Sequence, residues 1–275
     1  MRYDYLDMKY MTFNASCSYA GVANMLAHYG IDTDDRTIAL EMGLPYYFAR
    51  ENGEYLSGPS LQSARWFDLY LNPLGFELDE RALPNAQVPH YLRNLKCAML
   101  GIRVADAGKH AVVLSSADRD GFHFLNNKWA HDPAPELLTL TEAELVARID
   151  DPCMVAVLHP IPPKAPPRRQ RMEESLTVLD EYRRDLLQIC SESRSTAELR
   201  RMLDPMFRAL LLDSITMLDL LGKTQLRERL TQLQQLFLTA LHSDATEIRL
   251  KDYLPTDQIC EAIADYAQLI QFAME

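Results

Sequence analysis

Asn14-Ala15-Ser16-Cys17-Ser18-Tyr19-Ala20-Gly21-Val22-Ala23-Asn24-Met25-Leu26-Ala27-His28-Tyr29-Gly30 is the stretch whose reading decides the rest of the chain. Val22, Met25, Leu26 and Tyr29 recur at the three- and four-residue spacing of one helical face, and Gly30 supplies a stop, so the pattern predicts a helix over 16–29. Cys17 then falls in its opening turn, where unpaired backbone N–H groups and the helix dipole favour a thiolate and can also hold an oxyanion. Asn14 or Ser16 is expected to cap that turn. His28 lies eleven residues further on, roughly 16 Å along the axis, too far to act as a base for the sulfur.

Outward from this helix, the sequence predicts a second helix over 35–42 and a third over 60–71, after the Ser57-Gly58-Pro59 turn and ended by Pro73. Beyond residue 95 the period changes. Stretches 97–104, 110–116, 122–126 and 154–159 are short, apolar or β-branched, and separated by Asp, Gly and Pro, which predicts antiparallel strands. Helices first and an antiparallel sheet second define an α+β domain over 1–160. Nine of the ten glycines lie at or before Gly121, so the far end is built differently. Pro160, Pro162, Pro163, Pro166 and Pro167 run into Arg168, Arg169 and Arg171, which reads as a Pro/Arg-rich linker over 160–171. After it, leucines and aromatics at helical spacing predict an all-α bundle over 172–275, with Pro205 interrupting one helix and Ser195 and Thr256 expected as caps near helix starts. That helical domain could pair two copies of the chain into a homodimer.

A thiol nucleophile needs an imidazole to deprotonate it and a third group to orient the ring. His110 opens the strand His110-Ala111-Val112-Val113-Leu114. If the chain reverses around Asp118-Arg119, Asn126 comes opposite His110, with Asn127 one residue out of step. Reversal at Asp120-Gly121 instead brings His131 or Asp132 across from it, so the orienting residue is Asn126 with Asn127 and Asp132 as alternatives.

The order Cys, His, Asn on a helix-then-sheet chain resembles the papain-like cysteine peptidase superfamily. Cys17 followed by His28-Tyr29-Gly30-Ile31, then His110-Ala111-Val112-Val113 with an amide sixteen residues on, looks like C39-like peptidases. Ser16-Cys17-Ser18, Tyr29-Gly30-Ile31 and Glu41-Met42-Gly43-Leu44 are also similar to the N-terminal domain of butirosin-biosynthesis protein H. The resemblance spans about 10–160 and implies a papain-like fold. It also implies catalysis through a thioester by Cys17, His110 and Asn126, with a peptide, amide or acyl-thioester substrate and no cofactor. Hydrolysis is the first expected outcome. Acyl transfer to an amine is the alternative, with an acidic carrier protein docking on Arg168, Arg169 and Arg171, and a weak or inactive binding module is a further one. C39-like peptidases carry Gln before the nucleophile and Gly after it; no Gln precedes Cys17 and Ser18 follows it, so Asn14 is the nearest oxyanion amide.

Other features lead to plainer expectations. Cys97, Cys153, Cys190 and Cys260 lie in apolar stretches and read as core, and the scattered odd set of five suggests reduced thiols. His123, His131, Asp132 and His159 have no metal-fixing spacing, and no metal is expected. Gly222-Lys223-Thr224 lacks the preceding glycine of a phosphate loop and reads as a helix boundary. Tyr46-Tyr47-Phe48 with Tyr55 and Trp66-Phe67 read as core before substrate rim. A net charge of -11, from 28 basic and 39 acidic residues, argues against nucleic acid and anionic membranes as partners. The charged opening Met-Arg-Tyr-Asp-Tyr-Leu-Asp-Met and the lack of a long apolar run lead us to expect a cytoplasmic protein without a membrane span.

Overall fold

The computed structural model describes residues 8–104 and 108–275; the first seven residues of the charged N-terminal stretch lie outside them. In chain order the elements are α1 (Cys17–Ala27), α2 (Asp35–Met42), β1 (Phe48–Glu51), β2 (Glu54–Ser57), α3 (Ala64–Leu71), β3 (Phe76–Leu83) and α4 (Val88–Leu92). There follow β4 (Ala98–Val104), β5 (Gly108–Ala117), β6 (Phe122–Asn126), β7 (Leu137–Leu140), α5 (Glu142–Arg148) and β8 (Cys153–Pro160). The last stretch holds α6 (Arg168–Ser191), β9 (Ser193–Arg194), α7 (Thr196–Arg201), α8 (Ser214–Leu220), α9 (Thr224–Leu241), β10 (Ile248–Arg249) and α10 (Thr256–Met274). These elements group into two compact units, residues 1–42 with 62–166, and 43–61 with 167–275.

The first unit is α+β. A six-stranded antiparallel sheet runs β3-β8-β4-β5-β6-β7. One face carries Leu100 and Ile102, Val112 and Leu114, Phe122 and Phe124, and packs against Val88 and Leu92 of α4 and Leu145 of α5, all nearly inaccessible. Burying each such side chain stabilises the fold by roughly 1.5–3 kcal/mol. The other face receives α1, which lies on β4 and β5. Close approach is possible because Gly21 has no side chain: a Cβ there would come within 2.4 Å of Met99 Sδ and 2.8 Å of Asn127 Nδ2. Asn24 of α1 reinforces the contact by donating to Asn127 Oδ1 at 3.0 Å, both residues being fully buried. Tyr19 of the same helix packs on Phe67 of α3 at 4.8 Å between ring centroids.

The second unit departs from the expected boundaries. Residues 43–61 belong to it, because Phe48 and Tyr55 of the β1–β2 hairpin pack on Tyr182 of α6 at 5.0 and 4.9 Å. The Tyr55 hydroxyl also donates to Asp185 at 2.7 Å. The hairpin turns at Asn52-Gly53, both left-handed at φ 52° and 86°, the pairing that two-residue hairpin loops favour. A domain of helices alone is therefore too narrow a description, since β1–β2 and the short β9–β10 pair belong to this unit. The linker is also shorter than 160–171. Pro160 closes β8, and α6 already begins at Arg168, its first turns knit by Arg169–Glu173 and Arg171–Glu174 contacts of 3.1 and 2.7 Å. Ser195 caps α7 through a capping box with Glu198, and around Pro205 the chain winds through π-helical segments at 203–207 and 209–213 before α8 starts. Thr256 is the first residue of α10 rather than its cap. None of the helices formed by the described residues is long and apolar enough to cross a membrane.

Candidate functional site

Cys17 is the first residue of α1 and is partly exposed, so its sulfur stands at the amino end of a helix as the sequence predicts. The expected cap does not form. Ser16 occupies the N-cap position without a side-chain bond to the helix, its backbone at φ -84° and ψ 25°. Its buried hydroxyl donates instead to Asp35 Oδ2 at 2.6 Å. Asn14 sits in the preceding turn, partly exposed, and Ala15 between them holds a left-handed φ of 41°. Asp35 also accepts from Thr12 N at 2.6 Å, Thr12 Oγ1 at 2.7 Å and Arg36 N at 2.8 Å, which pins the whole 12–16 turn to α2. On the other side of Cys17, Ser18 Oγ donates to Gln62 Oε1 at 2.6 Å.

The second half of the site is on the sheet. His110 is the third residue of β5, partly buried, with its Nδ1 3.0 Å from Asn126 Oδ1. Asn126 is 2% exposed and its Nδ2 donates to the Pro135 carbonyl at 3.0 Å. Because a carbonyl can only accept, that bond fixes which end of the amide faces the imidazole: Asn126 presents oxygen, so Nδ1 of the neutral ring carries the proton and Nε2 carries the lone pair. Burial pushes the His110 pKa below its ordinary value, against the upward influence of the Asn126 bond and of the nearby Asp132 charge. The ring is therefore neutral at and above the ordinary imidazole range, the form a base requires. The same shift makes folding less favourable as pH falls below that range, since the unfolded chain takes up the proton first. Asn126→Ala, by removing an upward influence, is expected to move the His110 titration further down, as read from its ring C2 proton by NMR; an upward displacement would contradict the pairing.

The register differs in detail from the sequence expectation. Val112, not His110, lies directly opposite Asn126, and His110 is its diagonal neighbour on the same face. A bulge between Leu114 and Ser116, and a turn in which Asp118 N bonds Gly121 O at 2.9 Å, account for the offset. His110 thus stands two residues past the last β5–β6 pair, where β6 has already ended. Asn127 does not orient the ring, because alternation turns it to the face under α1, where Asn24 holds it. Asp132 influences His110 through its charge alone, its Oδ1 accepting from Ala134 N at 2.8 Å. Helix α1 packs on the face of β4 and β5 that carries Met99 and Asn127, whereas strand alternation puts His110 and Asn126 with Ile102 and Val112 on the other face, and among the described residues no hydrogen bond joins the Cys17 thiol to the His110 ring. Among those residues there is also no cluster of His, Cys, Asp or Glu arranged to hold a metal ion.

Asp35, Gln62 and Pro135 are the residues that sequence reasoning missed. They act on side chains nine to forty-four residues away, and nothing in the local pattern marks them. Cys97, Cys153 and Cys190 are buried as core, and burial pushes the thiols of Cys97 and Cys190 up to about 12 and that of Cys153 up to about 11, whereas Cys260, on α10, is only partly buried. Tyr47, Phe48, Tyr55, Trp66 and Phe67 are buried as core, while Tyr46 is only partly buried.

Fold and site together define an α+β domain with a helix-borne thiol and a strand-borne imidazole–amide pair. No family model matches the sequence, nor does any curated protein. Solved structures do. The peptidase domain of Streptococcus ComA, a bifunctional ABC transporter involved in quorum sensing, matches with a TM-score of 0.40 and 12% identity, over 55% of this chain and 96% of that one. A double glycine motif protease from an AMS/PCAT transporter, solved with its leader peptide, matches at 0.37 and 13%, over 55% and 89%. A periplasmic domain of the EpsAB fusion protein of the Vibrio vulnificus type II secretion system matches at 0.30 and 13%, over 53% and 47%.

Proposed function

We propose that the first unit is a papain-like cysteine hydrolase acting on a peptide or amide carbonyl. What supports this reading is the His110–Asn126 pair, an imidazole whose amide partner leaves Nε2 unprotonated, at the end of β5 where β6 has stopped, together with Cys17 at the start of α1. The sulfur attacks the carbonyl carbon as its proton passes to His110 Nε2, and the oxyanion is held by the backbone N–H of Cys17 with the Asn14 amide. Collapse of that intermediate breaks the C–N bond, His110 gives its proton to the departing amine, and a thioester remains. Water, deprotonated by the same imidazole, then attacks the thioester and releases the acid and the thiol. A sulfur–imidazole hydrogen bond that closes only when substrate binds is common in such sites.

The test is alkylation. Iodoacetamide is expected to label Cys17 stoichiometrically well below pH 8, and His110→Ala is expected to abolish that advantage. Reactivity like that of an ordinary thiol would instead mark a binding module. Acyl transfer to an amine is separated from hydrolysis by offering an acyl-carrier thioester with an amine and weighing the products. A carrier role for the arginines of α6 has less to draw on than the sequence suggests, because Arg169 and Arg171 are each paired with a glutamate of the same helix.

A further inference from the structure

Asp35 is fully buried at the start of α2, and its four hydrogen-bond partners are all neutral: two backbone N–H groups and the hydroxyls of Thr12 and Ser16. One of those hydroxyls has an ordinary alternative use. A serine at a helix N-cap normally adopts an extended backbone and lets its oxygen accept from the N–H two or three residues on. Ser16 does neither; its backbone lies outside the extended region and its side chain makes no cap. Ala15 beside it is held in the left-handed region, which a side chain-bearing residue rarely adopts. Both departures sit in the turn that Asp35 grips from either end, at Thr12 and at Ser16.

Accepting that Cys17 is the nucleophile, we propose that Asp35 is a positioning residue for it, acting by drawing the Ser16 hydroxyl off the amino end of α1. The N–H groups of the first turn then stay uncapped by a side chain and face the charge that forms on sulfur. The carboxylate does this at one remove. It touches the turn and leaves the thiol to the helix.

The consequence is a suppression that simple loosening of the turn would not give. In Asp35→Ala the freed Ser16 hydroxyl swings back to cap α1, so iodoacetamide labelling of Cys17 in the full chain should slow by about tenfold near pH 6.5 and change little near pH 9, where ordinary thiols also react. Ser16→Ala should label like the wild type, having no hydroxyl to cap with. The double variant should recover the Ser16→Ala rate at both pH values. If Asp35→Ala does not fold, as judged by circular dichroism, Asp35→Leu replaces it: the side chain fills the buried site but offers Ser16 neither an acceptor nor a donor, and the same pattern is expected. A double variant as slow as the Asp35 single, or an equal loss at both pH values, overturns the positioning role while leaving Cys17 as the nucleophile. Wild-type Cys17 that labels no faster than a free thiol overturns the nucleophile and this role with it.

Discussion

Cys17→Ala is expected to end acyl-enzyme formation from a p-nitrophenyl ester altogether, and His110→Ala to slow it by about 10²–10⁴-fold, the usual contribution of a positioned base. The double variant should be no worse than Cys17→Ala alone, because a base with no nucleophile to activate contributes nothing, and residues that act as a unit lose their effects together. Intact mass gives the acyl adduct directly, and stopped-flow absorbance gives the rate. Neither single variant should unfold the protein. Cys17 is partly exposed at a helix start and His110 partly buried past the end of β6, so neither truncation empties a packed core. An adduct that persists in Cys17→Ala, or a His110→Ala rate within about twofold of wild type, would remove the pair from the chemistry. The neutral state of His110 adds a pH signature: with its pKa below the ordinary imidazole value, the acid side of the rate profile should fall away at lower pH than a free imidazole would give.

The parts of this molecule that were legible in the sequence are those fixed by neighbours along the chain. Helix α1 follows from apolar spacing ended by Gly30, and β4, β5, β6 and β8 follow from short runs of Val, Leu and Phe between turn residues. His110 and Asn126 could be paired because a hairpin converts sequence distance into cross-strand distance, and a single diagonal step separates expectation from structure. The missed elements have physical causes. Edge strand β3 carries Glu77, Asp79, Glu80 and Arg81, which reads as a solvated stretch because only β8 pairs with it. The Asn52-Gly53 turn was a fair hairpin signal, but its flanks are four residues each and their aromatic partners lie about 130 positions on, in α6. The Ser16 cap failed for a related reason. Local propensity favours it, and a buried carboxylate nineteen residues away outbids it, a competition that no window centred on Cys17 contains.

Gly21 places α1 on the sheet, and replacing it should separate the helix from its strand more sharply than any other single change in the first unit. Leucine there meets Met99 and Asn127 at distances no side chain tolerates. Met99 is flexible and can yield, but Asn127 is fully buried and bonded to Asn24, so it has nowhere to go without breaking that bond. Overpacking of this kind costs about 1–3 kcal/mol, relieved by lifting the helix. Since Cys17 lies one turn before Gly21 on the same rigid element, lifting moves the sulfur relative to β5. A displacement of about 1 Å at a reacting atom costs on the order of 10²-fold in rate. Gly21→Leu is therefore expected to lower ester acylation about a hundredfold while the second unit's circular dichroism signal and unfolding are retained. Gly21→Ala should fall between Leu and wild type. The added Asn127→Gly change, which clears the space under a Gly21→Ala methyl, should return part of the lost rate. If Gly21→Leu keeps wild-type acylation, the seating of α1 on the sheet does not set the position of the thiol.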